Sequence, residues 1–388
     1  MLRFLTAGES HGPALTAILE GMPAGLALSE EDIAVSLRRR QRGQGSGARM
    51  QIEQDRAHLT GGVMNGLTTG APIALHIENR DWANWSHRDI PPMTIPRPGH
   101  ADLSGAIKYG YRDLRLALER ASARETAARV AVGAVCARLL AEFGASVGSY
   151  VTQIGDVGAT LGEELSYAQR FALAERSDVR CPNPAAAEAM EACIREAMAA
   201  GDTVGGVFEV IALGLVPGLG SHVHWDRRLD GRLLAAVGSI PAVKGAEIGP
   251  AFENAARRGS EVHDEIRVEE GRLTRRSNRA GGLEGGISTG QPIVVRAAMK
   301  PISTVRTGLR SVDLATGAPA PARYERSDVC AVPRASVVGE AMAAFVLADA
   351  LLEKLGGDSL DEMRPRFASL RRGTLAELDM DNETWRFA

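Results

Sequence analysis

The segment from Ala335 to Leu355 is apolar around most of its circumference. A helix without a polar side needs neighbours on more than one side, so the chain has to build layers around it. A second strong helix is expected from about Ser122 to Phe143. There Val132, Val135, Cys136, Leu139 and Phe143 keep helical spacing on one face, and Gly144 supplies a stop. Strand-like stretches at Leu2–Thr6, Leu15–Leu19, Met50–Leu59 and Pro72–Ile77 come before it, with Val207–Leu215 and Ile293–Ala297 after it. These elements alternate without a regular βαβ rhythm, which favours an α+β layered fold over a doubly wound sheet. Ser29-Glu30-Glu31-Asp32 reads as a capping box opening a helix that runs into Arg38-Arg39-Arg40, and Asn183-Pro184 opens another. Residues 80–98, with Trp82, Trp85 and several prolines, read as an irregular surface excursion.

No linker rich in Pro, Gly or Ser divides the 388 residues, so a single domain is expected over 1–388, with 363–388 as a variable tail. A net charge of −3 gives no whole-chain attraction to nucleic acid or to an anionic membrane. Met1 to Ala7 is too short for the apolar part of a signal peptide, and no run of eighteen apolar residues is present. Cys136, Cys181, Cys193 and Cys330 show no CxxC pairing, and Cys136 falls on a helix face where a buried thiol is expected. Together these features point to a reduced, cytoplasmic protein.

Two histidines sit in glycine punctuation. His11 lies in Gly8-Glu9-Ser10-His11-Gly12 after a short strand, and His100 lies in Arg97-Pro98-Gly99-His100-Ala101-Asp102. Histidine exchanges protons near neutrality, and glycine lets a backbone approach a ligand closely. Only Lys108, Lys244, Lys300 and Lys354 are lysines, while arginines crowd into a few segments. Arg38, Arg39, Arg40, Arg42 and Arg49 surround a Gly-rich loop: either an anion site or a solvated helix end. In Glu119-Arg120-Ala121-Ser122-Ala123-Arg124, a serine at a helix start suits a phosphate, or is simply an N-cap. Asn278 to Gly286 is glycine-rich and precedes a strand ending in Lys300-Pro301-Ile302-Ser303-Thr304, which would hold a phosphate or form an ordinary edge. Asp328, in Arg326-Ser327-Asp328-Val329-Cys330, is a base, a flavin-orienting group or an ion-pair partner. His222 and His224 alternate on a possible strand, without a set of ligands at metal spacing, and no metal is expected.

GESHG, RPGHAD, the block from KYGYRD to ERASARET, NRAGGLEGG with KPIST, and RSDVCAVPRAS occur in this order. In this the chain resembles the chorismate synthase family from Leu2 to about Glu362. The resemblance implies 1,4-anti-elimination of phosphate from 5-enolpyruvylshikimate 3-phosphate, the last step of the shikimate pathway towards aromatic amino acids. It also implies a need for reduced FMN without net redox change. Its fold would be a β-α-β sandwich, two antiparallel sheets enclosed by helices, assembled as a homotetramer. By motif, His11 is expected to protonate the departing phosphate, His100 to protonate or hydrogen-bond the reduced flavin, and Asp328 to assist C6 proton removal. Arg40, Arg49 and Arg97 are expected around the substrate anions. FMN is expected against Arg120, Ala121, Ser122, Pro241, Ala242, Gly285, Lys300, Pro301, Ile302, Ser303, Thr304 and Arg326. Two departures stand out: Ser46 where many relatives have arginine, with Arg42 as a replacement, and Pro241 where many have asparagine. No dinucleotide fingerprint appears, and an external flavin reductase or a supply of reduced flavin is expected as partner, with reduction of the flavin by the chain's own use of NAD(P)H left open. The rival reading is an FMN-dependent oxidoreductase; a third is a non-catalytic anion-binding module.

Overall fold

The computed structural model describes residues 1–45, 53–162, 164–325, 327–381 and 383–386. Arg49, Ser46 and Arg326 lie outside the described residues. The first sheet holds β1 (Arg3–Ala7), β2 (Ala14–Glu20), β3 (Ala57–Gly61) and β4 (Ile73–Glu78) in the order β1-β2-β4-β3, every pair antiparallel. The second holds β5 (Ser146–Ile154), β6 (Val157–Gly158), β7 (Gly206–Leu213), β8 (Val243–Ile248) and β9 (Ile293–Met299) in the order β8-β9-β7-β5-β6, again antiparallel throughout. Along β2, Leu15, Ala17 and Leu19 are buried and Ile18 is exposed, the alternation of a sheet with one core face.

The principal helices, in chain order, are α1 (Glu30–Gln41), α2 (Asp102–Tyr109), α3 (Arg115–Ala121), α4 (Thr126–Glu142), α5 (Tyr167–Ala174), α6 (Pro184–Ala200), α7 (Leu229–Gly238), α8 (Val332–Leu355) and α9 (Leu360–Ala368). Helix α4 packs on β2 and β4, α8 packs on β5 and β7, and the two helices run against each other. The long helices therefore lie between the sheets. This is the β-α-β order that the resemblance implies; on the outside, α5 covers part of the outer face of the second sheet, where Phe171 packs against Tyr150. The reason is compositional. Helices α4 and α8 are buried nearly all round, so neither has a side to offer water, and the single apolar face expected for α4 was too narrow.

Close approach at the centre depends on small residues. A Cβ at Gly133 of α4 would stand 2.3 Å from the Ala341 Cβ of α8. By length and composition α8 would cross a membrane, but here 94% of its apolar window is buried inside the protein. Its buried polar groups all have partners: Arg334 meets Asp328, Ser336 accepts from Arg180, Glu340 from Arg39, and Asp349 from Arg232. Cys136 is buried as expected, and burial pushes its thiol pKa well up. Both helix starts are as read: Ser29 forms a capping box with Asp32, and Asn183 caps α6 ahead of Pro184. In the tail, α9 buries Met363, and its Phe367 ring lies 4.9 Å from that of Phe143.

Candidate active site

His11 is presented by the turn between β1 and β2. Gly8 opens the turn at φ +105, where a Cβ would lie 2.3 Å from the Ala14 carbonyl oxygen, so only glycine fits. The Asn79 amide, at the end of the sheet, donates to the carbonyls of Glu9 (3.1 Å) and Gly12 (2.7 Å) and pins the turn. His11 then reaches α3. Its Nδ1 is 2.8 Å from Glu119 Oε1, and its backbone N–H donates to Oε2 at 2.7 Å. A carboxylate only accepts, so the facing Nδ1 carries a proton. Burial works against the Glu119 carboxylate, but the His11 hydrogen bond and charge, with Arg115, hold its pKa below the usual range. The Trp85 ring lies 4.1 Å from the His11 ring, between centroids.

His100 is built the same way. Its Nδ1 is 2.6 Å from Asp102 Oδ1, at the start of α2. Arg97 grips the same carboxylate twice, Nε to Oδ2 at 2.8 Å and Nη2 to Oδ1 at 2.9 Å. Burial opposes ionisation of Asp102, yet the bonds to Arg97 and His100 outweigh it and leave the carboxyl far below its ordinary pKa. Sequence reasoning missed Glu119 and Asp102 as partners of the histidines, and it missed Trp85. Asp102 stood two positions from His100 as a signal; nothing in spacing linked Glu119 to His11.

The arginine run does not converge on one ligand. Successive helix residues turn by about 100°, so they point apart. Arg38 pairs with Glu31 at the surface, Arg39 with Glu175 and Glu340, and Arg40 turns inward. Arg40 donates to Thr126 Oγ1 (3.0 Å), Asp55 Oδ2 (3.2 Å) and the Ala123 carbonyl (3.1 Å). Arg124 holds the other Asp55 oxygen and donates to Asn79 Oδ1 at 2.8 Å. Asp328 accepts from Arg334 and, with Asp55, bears on Arg40. Burial, with the charges of Arg124 and Arg334, lowers the Arg40 pKa to about 10 against the pull of those carboxylates. At neutral pH it stays charged.

A cavity of about 520 Å³ opens beside the His11 turn, with Arg120, Ala121, Ser122, Arg129, Ser239 and Pro241 in its wall. Ser122 accepts from the Arg124 N–H (3.3 Å) just before α4, and its hydroxyl donates to Ser10 Oγ at 3.0 Å. Arg120 reaches the Gly8 carbonyl (3.1 Å) and Thr6 Oγ1 (2.6 Å), and Arg129 reaches Ser239 Oγ (2.9 Å). Ala242, at φ +67, accepts from the Lys300 N–H at 2.9 Å. The loop before His100 rests on that segment, since a Cβ at Gly99 would stand 3.6 Å from Lys300 Nζ and 3.5 Å from Ser303. Burial, with Lys244 nearby, lowers the Lys300 pKa. Pro301 offers its carbonyl to Lys300 Nζ at 3.4 Å, and Ile302 accepts from Thr203 at 2.7 Å. The Thr304 carbonyl accepts from Ser327 at 3.4 Å, bringing the Asp328 segment alongside. Gly285 is not in the cavity wall; it turns a tight hairpin against His222. His224 pairs with Asp226 at 2.7 Å on the surface.

Proton donors braced by carboxylates, beside a cavity walled with arginines and hydroxyls, suit an enzyme acting on an anionic small molecule. The comparisons name the class. The chorismate synthase family model matches residues 2–352. A chorismate synthase of Aquifex aeolicus (strain VF5) is 57% identical over 386 residues, covering 94% of this chain and 96% of the relative. One of Desulforudis audaxviator (strain MP104C) is 57% identical over 374 residues, covering 94% and 95%. A crystal structure of chorismate synthase superposes with a TM-score of 0.77 at 51% identity, covering 95% of this chain and 96% of that one. The chain is a carbon–oxygen lyase. It belongs to the chorismate synthase family.

Proposed function

We propose that the chain converts 5-enolpyruvylshikimate 3-phosphate into chorismate by 1,4-anti-elimination, breaking the C3–O bond to phosphate and removing a hydrogen from C6. The observation carrying this reading is the 3.0 Å contact of Ser10 and Ser122. It joins the turn that holds His11 to the wall of the cavity.

FMN fits that cavity. Its size is within the roughly 300–1,000 Å³ of small-molecule sites. Arg120 and Arg129 with Ser122 and Ser239 suit a phosphate, and Phe4, Pro241 and Met342 suit an aromatic ring. Pro241 contributes ring contact and its carbonyl, without the amide many relatives carry there. Lys300 to Thr304 and Ala242 adjoin the wall; Gly285, in its hairpin against His222, drops out of the set, and Arg326 stays in it by motif alone. Reduced flavin, when bound, would supply electron density against the substrate ring without being consumed.

His11 donates a proton to the departing phosphate. His100 hydrogen-bonds the flavin side of the site, with Lys300 beneath its loop. Asp328, ion-paired with Arg334, assists removal of the C6 proton. Arg49 is assigned to a substrate anion by motif alone. Arg40 and Arg97 already hold carboxylates, so they add positive potential and position neighbours more than they offer free forks. External reduction of the flavin, a cytoplasmic location and assembly as a homotetramer belong to the same reading. The exposed pair Leu5 and Ile18, side by side on the outer face of the first sheet, supports assembly.

Calorimetric titration of oxidised FMN tests the cofactor assignment. Arg120→Ala is expected to weaken FMN at least tenfold, since charge-assisted bonds contribute about 1.5–3 kcal/mol. Unchanged FMN affinity would remove the flavin from this cavity.

A further inference from the structure

Glu119 and His11 are 108 positions apart in sequence, yet the carboxylate holds the histidine twice, through the backbone N–H and through Nδ1. A third bond runs from the Ser10 N–H to the Glu119 carbonyl, at 3.2 Å. Arg115, one turn earlier on α3, stands 3.8 Å from Glu119 Oε1. Its Nε and Nη1 are buried and have no hydrogen-bond partner, so the guanidinium is left to act by charge. Trp85 closes the remaining side, lying over the His11 ring and 5.7 Å from the Arg115 guanidinium. The imidazole has one nitrogen on a carboxylate and one face on an indole. Only Nε2 is left to meet a ligand.

We propose that Glu119 is the positioning residue that makes His11 a one-sided proton donor: it takes the Nδ1 proton, fixes the tautomer and aims Nε2 at the departing phosphate. Against burial, the bonds and charge of His11 hold the Glu119 pKa down, and Arg115 adds its charge to them. The inference rests on the assignment of His11 as the acid. In the step itself, the Nε2–H bond breaks as the phosphate oxygen gains that proton and takes the C3–O electron pair, while the C6–H pair, left by the departing C6 proton, moves through the ring double bond to make good the deficit at C3. The imidazole ends neutral, with Nδ1–H still on Glu119, and solvent returns a proton to Nε2. A carboxylate so placed accepts from Nδ1–H both before and after the transfer. The same trio recurs at the second histidine, where Arg97 and His100 share Asp102. Two separate Arg–carboxylate–His sets on adjoining helices argue for a function of the carboxylate beyond tying down one loop.

A carboxylate that merely pinned the turn would change stability and leave the pH profile alone. The test therefore measures kcat, KM and their pH dependence in Glu119→Gln, Glu119→Asp and His11→Ala. A parallel measurement records the ring nitrogens of His11 by ¹⁵N NMR in the flavin-free protein. Glu119→Gln is expected to lower kcat by about 10–100-fold, short of the 10²–10⁴-fold of a lost general acid, with KM nearly unchanged. The alkaline limb of its kcat profile should move to lower pH, because an anion beside the imidazolium is gone. The nitrogen spectrum should lose the single Nδ1–H form. Glu119→Asp should restore part of both effects, and it keeps the test alive if the glutamine variant does not fold. Wild-type kcat and pH profile in Glu119→Gln, with His11→Ala crippled, would overturn this inference and leave the acid assignment standing. Wild-type turnover in His11→Ala would overturn both.

Discussion

Gly105 on α2 meets Ala117 on α3 so closely that a Cβ at position 105 would stand 2.8 Å from that of Ala117. This crossing sets the helix that carries Asp102 relative to the helix that carries Glu119, and through these carboxylates the two histidines. Valine at 105 cannot be seated without moving one helix. Gly105→Val is expected to cost about 1–3 kcal/mol through overpacking, and to lower kcat by misplacing one histidine relative to the other. Thermal unfolding and steady-state turnover check it; a variant matching wild type in both would show the crossing to be slack.

Arg97 offers a sharper case, because its fork is taken up by Asp102. Arg97→Ala strips the fully buried Asp102 carboxylate of its guanidinium and leaves it His100 as its side-chain partner, a loss of about 3–5 kcal/mol. Lysine lacks the planar fork, so Arg97→Lys should recover only a fraction. The expected signature is a large fall in melting temperature with or without substrate. Full stability coupled to a raised KM would instead make Arg97 chiefly a substrate ligand.

His11→Ala and His100→Ala should each lower kcat by about 10²–10⁴-fold while substrate affinity changes little. Stopped-flow turnover, beside substrate titration, separates the two effects. Affinity lost with kcat intact would make the histidines binding groups.

Acid stability has a defined contributor. Burial opposes ionisation of Glu175, but the hydrogen bond to Arg39 and the charges of Arg180 and Arg39 outweigh it, lowering its pKa from 4.5 to about 2. A carboxyl lowered by folding stabilises the protein above its unfolded value, and that stability is lost as pH falls through the folded one. Its contribution is therefore full above pH 4.5 and drains away towards pH 2. Chemical denaturation at pH 6 and pH 3 should show a steeper loss in wild type than in Glu175→Gln. Parallel losses would remove Glu175 from the acid response.

Much of the architecture was legible in the sequence, for local reasons. Ser29 with Asp32 and Asn183 with Pro184 mark helix starts whose capping bonds span three or four residues. The all-round apolarity of α8 demanded layers. What local pattern does not carry is which sheet strand pairs with which, or that α4 and α8 lie inside the sandwich. At the site, His11, His100 and the Ser122 wall were readable as motifs. Their organisation was not, because Glu119 meets His11 only through the fold. The basic run at Arg38 to Arg40 looked convergent in one dimension, and helical rotation sends its members to four different carboxylates, Glu31, Glu175, Glu340 and Asp55.

The central claim is an elimination that needs reduced flavin without consuming it. An anaerobic assay with dithionite-reduced FMN and 5-enolpyruvylshikimate 3-phosphate tests it directly, following chorismate, phosphate and flavin absorbance together. The account predicts one phosphate and one chorismate per substrate consumed, many turnovers per flavin, and no reaction with oxidised FMN alone. Stoichiometric oxidation of the flavin with a reduced product would contradict it and make the chain an oxidoreductase.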